Sequence, residues 1–154
     1  MNIAGLQKLT TSDFPGFIAC IVFTQGCNLK CPYCQNSGLI PIVRDFKNDS
    51  LTTEDIFEFL EKRKGILDGV VITGGEPLIH TDIDEFISKI KKIGYKVKLD
   101  TNGTNPELLK KLIDLNLIDY VAMDIKNCPN LYAETCGLKF INVENIKIIA
   151  IDIF

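Results

Sequence analysis

"FIACIVFTQGCNLKCPYCQN" (residues 17–36) joins an unbroken apolar run to three closely spaced cysteines. The run 17–24 is rich in β-branched and aromatic residues and has the length of a strand. Strands that are apolar throughout are typical of parallel sheets, whose two faces are both covered. The cysteines Cys27, Cys31 and Cys34 come directly after this strand. Parallel α/β folds build their sites at the carboxyl ends of the strands, so this stretch predicts both a fold class and the position of a site.

Two periodicities alternate along the rest of the chain. Apolar runs predict further strands over 69–73, 96–101 and 119–125, and amphipathic patterns predict helices over 52–64, 81–94 and 105–116. This alternation predicts an α/β fold with parallel strands and right-handed crossovers. Residues 128–137 are interpreted as a short helix or turn. The tail from residue 142 onward fits either a helix or a further strand.

Charge and composition limit the classes of partner. The formal net charge of the 154 residues is −3 and the sequence pI is near 5.2. This balance argues against a nucleic acid or an anionic membrane as the main partner, and the lysines of "KKIGYKVK" (91–98) are expected to lie in solvent. Neither a signal peptide nor an apolar stretch approaching ~20 residues is recognised. We therefore expect a cytoplasmic protein, in which six cysteines indicate metal or redox chemistry rather than disulfides.

The cysteine triplet leaves its coordination chemistry open. Thiolates are soft ligands of zinc, copper(I) and iron–sulfur clusters. A [4Fe–4S] cluster needs four corner ligands, so three cysteines would leave one iron open to a ligand from outside the protein. The alternative is a zinc site completed by His80 or by a fourth cysteine, although a solvated or capping role suits His80 better. Cys20 is interpreted as a core residue, whereas Cys128 and Cys136 could bind metal but are more often structural.

The spacing C-x3-C-x2-C, with Tyr33 before the last cysteine, resembles the signature loop of the radical S-adenosylmethionine (SAM) superfamily. "TGGEP" (73–77), at the end of the next strand, resembles the GGE motif of that superfamily. The resemblance implies that the three cysteines hold a [4Fe–4S] cluster whose fourth iron chelates SAM. The residues it marks as contacts of SAM are Gly74, Gly75 and Glu76 for the amino group, and Tyr33 and Asn36 beside the thiols.

Two further segments, "LDTNG" (99–103) and "MDIK" (123–126), follow the third and fourth predicted strands. Asp, Asn and Gly are common at strand exits, so alone these segments would indicate only turns. On the same edge as the cysteines they resemble segments of the glycyl-radical-enzyme activating enzymes. The resemblance implies a possible monovalent cation near the SAM carboxylate. Without a positive charge, the two protein carboxylates would repel the carboxylate of SAM. The residues marked are Asp100, Thr101, Asn102 and Asp124 around SAM, and the catalytic candidate Lys126 in the cleft.

"GLQKLTTSDFPG" (5–16), taken with the segments above, resembles the activating proteins of anaerobic (class III) ribonucleoside-triphosphate reductase. The implied activity is reductive cleavage of SAM, followed by formation of a glycyl radical on a partner enzyme. A flavodoxin or ferredoxin is the implied electron donor. The alternatives are a radical SAM enzyme acting on a small molecule, of the carboxy-deazaguanine synthase type, and a non-catalytic metal-binding module.

The length of the chain predicts a single domain over residues 1–154, and the resemblance implies that it is a radical SAM domain. We expect a partial (β/α) barrel with parallel strands, outer helices and four to five β/α units. Barrels of the superfamily usually have six, so this one is expected to be shortened toward its C-terminus or completed by a partner. An incomplete barrel leaves an open sheet edge that can pair with another chain.

Overall fold

The computed structural model describes the backbone of residues 1–42 and 51–152, and the side chains of these ranges as far as residue 148. Five strands form one sheet in the order β1-β2-β3-β4-β5. Strands β2 to β5 are parallel, whereas β1 runs antiparallel to β2. The strands are β1 Ile3–Thr10, β2 Ala19–Thr24, β3 Gly69–Gly74, β4 Lys96–Thr101 and β5 Tyr120–Met123. The four parallel strands confirm the predicted α/β class.

Strand β1 is an addition that the sequence does not indicate. Its residues, "IAGLQKLT", show neither an unbroken apolar run nor a regular alternation, and only Ile3 and Thr10 are buried. Strand propensity depends strongly on the neighbours of each strand, and β1 pairs with β2 alone. It extends the sheet on the side opposite β5.

Helices connect the parallel strands, and their ends follow signals in the sequence. The helices are α1 Thr53–Lys62, α2 Ile83–Ile93, α3 Pro106–Asp114, α4 Tyr132–Thr135 and α5 Val143–Asp152, with 3-10 turns at Ser37–Leu39, Pro77–Ile79 and Pro129–Leu131. Thr52 and Asp55 form a capping box on α1, and the Asn105 side chain caps α3. Gly94 ends α2 with a φ of 111°, a conformation that favours glycine. These caps confirm the three helices predicted with them.

Helices α1, α2 and α3 cover one face of the sheet. The predicted apolar stripe of α2 is buried there and consists of Ile83, Phe86, Ile87 and Ile90. It packs in one cluster with strand residues such as Val22, Ile72 and Leu99. Full burial of such a side chain contributes about 1.5–3 kcal/mol relative to exposure, so this layer is a main source of stability.

The opposite face of the sheet is covered at one end by the segment that follows β1. Phe14 is 1% exposed and packs with Ala19 and Val71. Its ring meets that of Tyr120 edge-to-face, with 6.2 Å between centroids. A Cβ added to Gly69 would lie 2.7 Å from the same ring. Because Ala19, Gly69 and Tyr120 begin their strands, "DFPG" (13–16) closes the amino-terminal end of the sheet, opposite the cysteines.

The tail is helical rather than a further strand. Ile146 of α5 is buried in a cluster with Leu29 and Cys31. Within the described residues β5 pairs with β4 alone, so the sheet is open beyond β5, as expected of a partial barrel. No helix in the described ranges combines the length and the apolar character needed to cross a membrane.

Candidate active site

A cavity of about 330 Å³ lies at the carboxyl ends of β2, β3, β4 and β5. Its wall combines the cysteine loop (residues 25–36) with the segments that leave the three following strands. The lining residues are Cys27, Leu29, Cys31, Tyr33, Cys34, Gln35, Asn36, Ile40, Thr73, Gly74, Gly75, Glu76, Asp100, Thr101, Asn102, Asp124 and Lys126. Every residue that the resemblance marks as part of the site lies in this wall. The structure thus brings these residues together, while the role of each stays a prediction.

The cysteine loop begins with a turn and is tied back to the chain that follows it. Gly26 has a φ of 98°, and the N–H of Cys27 donates to the carbonyl of Ile40 at 3.0 Å. The N–H of Cys34 donates to the carbonyl of Cys31 at 3.1 Å, so these two cysteines share one turn. Burial raises the pKa of the Cys27 thiol. Its thiolate form therefore needs a compensating positive charge, which a bound metal supplies.

The three thiols are the kind of donor set that an iron–sulfur cluster takes, with one corner left for another ligand. Thiolate ligands of zinc all lie about 2.3 Å from one point. No group of three or more His, Cys, Asp or Glu side chains in the described parts of the chain is arranged to hold one ion. A [4Fe–4S] cluster instead takes each thiolate at its own iron. His80 lines a separate cavity of about 290 Å³, so it does not complete the triplet.

The glycine pair after β3 packs directly against the cysteine loop. A Cβ on Gly74 would lie 2.3 Å from the nitrogen of Thr24, and one on Gly75 would lie 1.9 Å from the carbonyl oxygen of Gly26. The N–H of Gly75 donates to the carbonyl of Thr24 at 2.9 Å, and that of Glu76 donates to Gly26 at 2.8 Å. The sequence predicts that these glycines let the backbone approach a ligand. In the structure the two glycines also allow the exits of β2 and β3 to pack closely, because neither glycine carries a Cβ.

Glu76 is 1% exposed, and its carboxylate is bound by its own chain. Oε1 accepts from the N–H of Leu78 at 3.1 Å and from the hydroxyl of Thr101 at 2.7 Å, and Oε2 accepts from the N–H of Asn102 at 2.7 Å. Burial raises the pKa of Glu76 to about 7, although these hydrogen bonds oppose the rise. The carboxyl group therefore titrates near neutral pH, and a cation in the cavity would favour its ionised form.

The acidic side chains at the exits of β4 and β5 are each paired with a lysine. Lys98 forms an ion pair with Asp100, and Lys126 forms one with Asp124. Lys98 is 8% exposed, so the expectation of solvated lysines over 91–98 is wrong for this residue. Partial burial lowers the pKa of Lys126, but the hydrogen bond and charge of Asp124 outweigh it and hold that pKa above its ordinary value. The protein's own cations thus offset both carboxylates, which weakens the electrostatic argument for a monovalent cation.

The remaining cysteines and His80 lie outside the cavity wall. Cys20 is fully buried in the core, as predicted. Cys128 is exposed. Cys136 is fully buried behind the cysteine loop, where its carbonyl accepts from the N–H of Lys30 at 2.9 Å and burial raises its pKa to about 12. The Nε2 atom of His80 is buried and has no hydrogen-bond partner among the described residues, so the solvated role is wrong for this atom. The alternative of a capping role fits the position of His80 at the C-cap of the 3-10 turn Pro77–Ile79.

Four lining residues were not nominated from the sequence: Leu29, Gln35, Ile40 and Thr73. Leu29, Gln35 and Thr73 lie inside the quoted motifs, so their neighbours along the chain are the signal that could have found them. Ile40 follows the cysteine loop in an irregular stretch and carries no recognisable pattern. Lys98 could have been found from strand alternation, because residues two apart on a strand share a face and Asp100 was already nominated.

Comparison with known sequences gives a consistent set of matches. The family model for the radical SAM superfamily matches residues 21–150. A Methanocaldococcus jannaschii protein provisionally named a glycyl-radical enzyme activating enzyme is 40% identical over 133 residues, which are 86% of this chain and 53% of that protein. The pyruvate formate-lyase-activating enzyme of Listeria monocytogenes is 33% identical over 135 residues, covering 81% of this chain and 53% of that protein. The chain spans about half the length of these curated relatives.

Comparison with solved structures identifies a related fold. The crystal structure of QueE from Escherichia coli superposes with a TM-score of 0.55 at 25% sequence identity. The superposition covers 67% of this chain and 52% of that chain. As with the sequence relatives, the match extends over about half of the other protein.

Proposed function

Because this chain belongs to the radical SAM superfamily, we propose that it cleaves SAM reductively at a [4Fe–4S] cluster and generates a glycyl radical on a partner enzyme. The observation that carries the proposal is one cavity whose wall holds three cysteine thiols together with the carboxylates of Glu76, Asp100 and Asp124. Two relatives that match more than four fifths of this chain bear the names of activating enzymes.

The cysteine thiolates are the proposed ligands of three irons. Leu29 and Ile40 line the same cavity, and their apolar side chains would limit the access of water to the sulfurs. Cys31, at 8% exposure, is already shielded. When bound, the cluster would supply the single electron that breaks the S–C5′ bond of SAM. The products would be methionine and a 5′-deoxyadenosyl radical, which would become 5′-deoxyadenosine by taking a hydrogen atom from a glycine Cα of the partner.

The hydrogen bonds within the described part of the chain leave one acceptor position of Glu76 for the amino group of SAM. A carboxylate offers about four lone-pair positions. The N–H of Leu78 and the hydroxyl of Thr101 take those of Oε1, and the N–H of Asn102 takes one of Oε2. The remaining position on Oε2 would accept from the ammonium group. That positive charge would favour the ionised carboxylate and lower the pKa of Glu76 from about 7.

Lys126, in the cavity wall, is the proposed partner of the SAM carboxylate, and Lys98 offsets the charge of the lining residue Asp100. Lys126 lines the cavity, and an ammonium group has three donors, of which Asp124 takes one.

The Tyr33 side chain is 53% exposed, so its ring offers an apolar face on which adenine could stack. A monovalent cation beside Asp100 and Thr101 remains part of the proposal. We expect the effect of this cation on SAM binding to be small, because Lys98 and Lys126 already supply two positive charges.

A glycyl-radical enzyme is the proposed partner, and class III ribonucleoside-triphosphate reductase is the specific candidate. The "DFPG" segment that favours this candidate packs the amino-terminal end of the sheet and contributes no residue to the cavity wall. The segment therefore has a packing role in the fold. It is weaker evidence for the choice of partner, because none of its residues lines the cavity. A flavodoxin or ferredoxin is the proposed electron donor, in the cytoplasm, where thiols stay reduced.

Anaerobic reconstitution tests the proposal in two stages. The chain should bind about four irons and should release 5′-deoxyadenosine when SAM and dithionite are added. Zinc in place of iron, or a cluster that leaves SAM intact, would contradict the proposal and favour a metal-binding module.

The second stage tests the partner. A class III reductase should acquire a glycyl-radical signal in electron paramagnetic resonance (EPR), and pyruvate formate-lyase serves as the competing substrate. Cleavage of SAM with no radical on either protein would favour a small-molecule substrate, which no observation here supports better than the activase.

A further inference from the structure

Asn102 lies between the exit of β4 and the cysteine loop, and it is 7% exposed. Its amide nitrogen is 3.9 Å from the sulfur of Cys27 and 2.9 Å from Oδ1 of Asn28. Its amide oxygen accepts from the backbone N–H of Thr104 at 3.0 Å and from the Thr104 hydroxyl at 2.7 Å. Asn28 donates in turn to that hydroxyl at 2.8 Å. The three polar side chains form a closed ring beside Cys27.

The surroundings fix the orientation of the Asn102 amide. A backbone N–H can only donate, so the amide atom that faces the nitrogen of Thr104 must be the oxygen. The amide nitrogen then faces Cys27. A flipped amide would leave the partly buried N–H of Thr104 without its acceptor and would bring two donors face to face. The side-chain N–H of Asn102 is therefore held toward the sulfur of Cys27.

We propose that Asn102 is a positioning residue that donates a hydrogen bond to the Cys27 thiolate and thereby raises the reduction potential of the cluster. This inference rests on the proposed function, since it takes Cys27 as an iron ligand. Cys27 also accepts from the backbone N–H of Leu29 at 3.4 Å, so two N–H groups point at one sulfur. Hydrogen bonds to the cysteine sulfurs help to set the potentials of iron–sulfur clusters, because the donors stabilise the negative charge added on reduction.

Contacts outside the ring supply a matched control. The backbone N–H of Asn102 donates to Glu76 at 2.7 Å, so the residue is anchored at its main chain as well as at its side chain. Asn145 of α5 donates from its amide to the carbonyl of Thr104 at 3.1 Å. It supports the same loop as Asn102, but it lies outside the cavity wall. A change at Asn145 therefore perturbs the support of the loop without removing a donor to Cys27.

The test compares the midpoint potentials of wild type, Asn102→Asp and Asn145→Ala, each with a reconstituted cluster and without SAM. Asn102→Asp keeps an acceptor for Thr104 but replaces the donor to Cys27 with an oxygen. We expect its potential to be more negative. The ratio of reduced to oxidised cluster should be about tenfold lower at a fixed applied potential, which corresponds to about 59 mV for one electron. Asn145→Ala should match wild type.

A spectroscopic readout separates this role from a merely structural one. Loss of the hydrogen bond should strengthen the iron–sulfur bond of Cys27, so resonance Raman frequencies of the Fe–S(Cys) stretch should rise in Asn102→Asp and stay unchanged in Asn145→Ala. Unchanged potential and frequencies in an Asn102→Asp protein with full iron content would overturn the inference and leave the proposed function standing. A wild-type chain that binds no iron would overturn the proposed function, and this inference with it.

A second variant covers the case in which Asn102→Asp fails to fold or loses iron. In Asn28→Ala the donor of Asn102 is kept, but its amide nitrogen loses the acceptor that helps to aim it. We expect a shift of the midpoint potential in the same negative direction and of smaller size. A potential equal to that of wild type in this variant would count against the inference.

Discussion

The carboxylate of Glu76 accepts a 2.7 Å hydrogen bond from the backbone N–H of Asn102, which lies 26 residues further along the chain. The bond joins the exit of β3 to the exit of β4 in the wall of the cavity. The hydroxyl of Thr101 adds a second bond to the same carboxylate at 2.7 Å. A side chain nominated for ligand binding thus also holds two strand exits together, and substitutions can separate the two roles.

Glu76→Ala should destabilise the fold and weaken SAM binding while leaving the cluster in place. The substitution leaves the N–H groups of Asn102 and Leu78 without an acceptor in a buried site, at about 1–3 kcal/mol each. Denaturant unfolding measures the stability, and equilibrium dialysis of SAM against the reconstituted protein measures binding. Glu58→Ala is the control, because it removes only an exposed ion pair with Lys62, worth less than about 1 kcal/mol. Equal SAM affinity in wild type and Glu76→Ala would show that Glu76 does not contribute to SAM binding.

The contribution of Glu76 to the stability of the unliganded protein should fall as pH rises from about 4.5 to about 7. The folded-state pKa of Glu76 is about 7, above its ordinary value of 4.5. Between these values the folded chain binds more protons than the unfolded chain, so raising the pH favours unfolding. Glu76→Gln should lack this fall. At 1.36 kcal/mol per pKa unit, the loss in the free energy of unfolding that Glu76 causes between these pH values is at most about 3 kcal/mol. Unfolding curves at several pH values measure the slope, and parallel slopes would contradict the raised pKa.

Gly75→Ala should destabilise the fold and reduce iron binding. Its Cβ would lie 1.9 Å from the carbonyl oxygen of Gly26, so the β3 exit would have to move away from the cysteine loop. We expect a loss of about 3 kcal/mol in the free energy of unfolding. Gly38→Ala is the matched control, because among the described residues no atom beyond its chain neighbours lies within 4 Å of its Cβ position. If both variants melt at the same temperature, the close contact is not needed for the fold.

Cys31→Ser should lose most of its iron. The change removes one of three proposed thiolate ligands, and oxygen is a harder ligand than the sulfur that iron–sulfur clusters take. Cys128→Ser removes an exposed thiol outside the cavity and should keep about four irons per chain. Iron and sulfide assays after desalting measure the outcome. Full iron content in Cys31→Ser would show that the ligand assignment is wrong.

Lys98→Met should make SAM binding weaker and more dependent on a monovalent cation. Lys98 is the ion-pair partner of Asp100, and without it the carboxylate would repel the SAM carboxylate. Titration of SAM with and without potassium chloride measures the effect, at constant ionic strength. Lys96→Met is the control, since Lys96 contacts the ring of Phe17, with 4.3 Å from its nitrogen to the centroid, and lies outside the cavity wall. An equal response to potassium in both variants would argue against a cation near Asp100.

The features that the sequence predicts correctly rest on local signals. An apolar run marks each parallel strand, and Thr52, Gly94 and Asn105 mark helix ends through bonds to residues within one turn. The rim of the cavity follows from these strands, because parallel strands place their carboxyl ends at one edge. The nominated site residues therefore share a wall even though they are spread over a hundred residues.

The features that the sequence does not predict depend on contacts between distant segments. Strand β1 is defined by its pairing with β2 rather than by its own pattern. Lys98 is buried only because the folded sheet surrounds it. The contact between Asn102 and Cys27 joins residues 75 positions apart, and no local pattern encodes such a distance. Glu76 likewise acquires its raised pKa from burial in the assembled wall.

The backbone bonds from Gly75 to Thr24 and from Glu76 to Gly26 continue the pairing of β2 and β3 past the ends of both strands. This side of the cavity is therefore an extension of the sheet, and bending it would break the same ladder of bonds. Tyr33 and Lys126 lie on other segments of the wall. The cavity thus has one wall that is built by the sheet itself, and the other segments are placed against it.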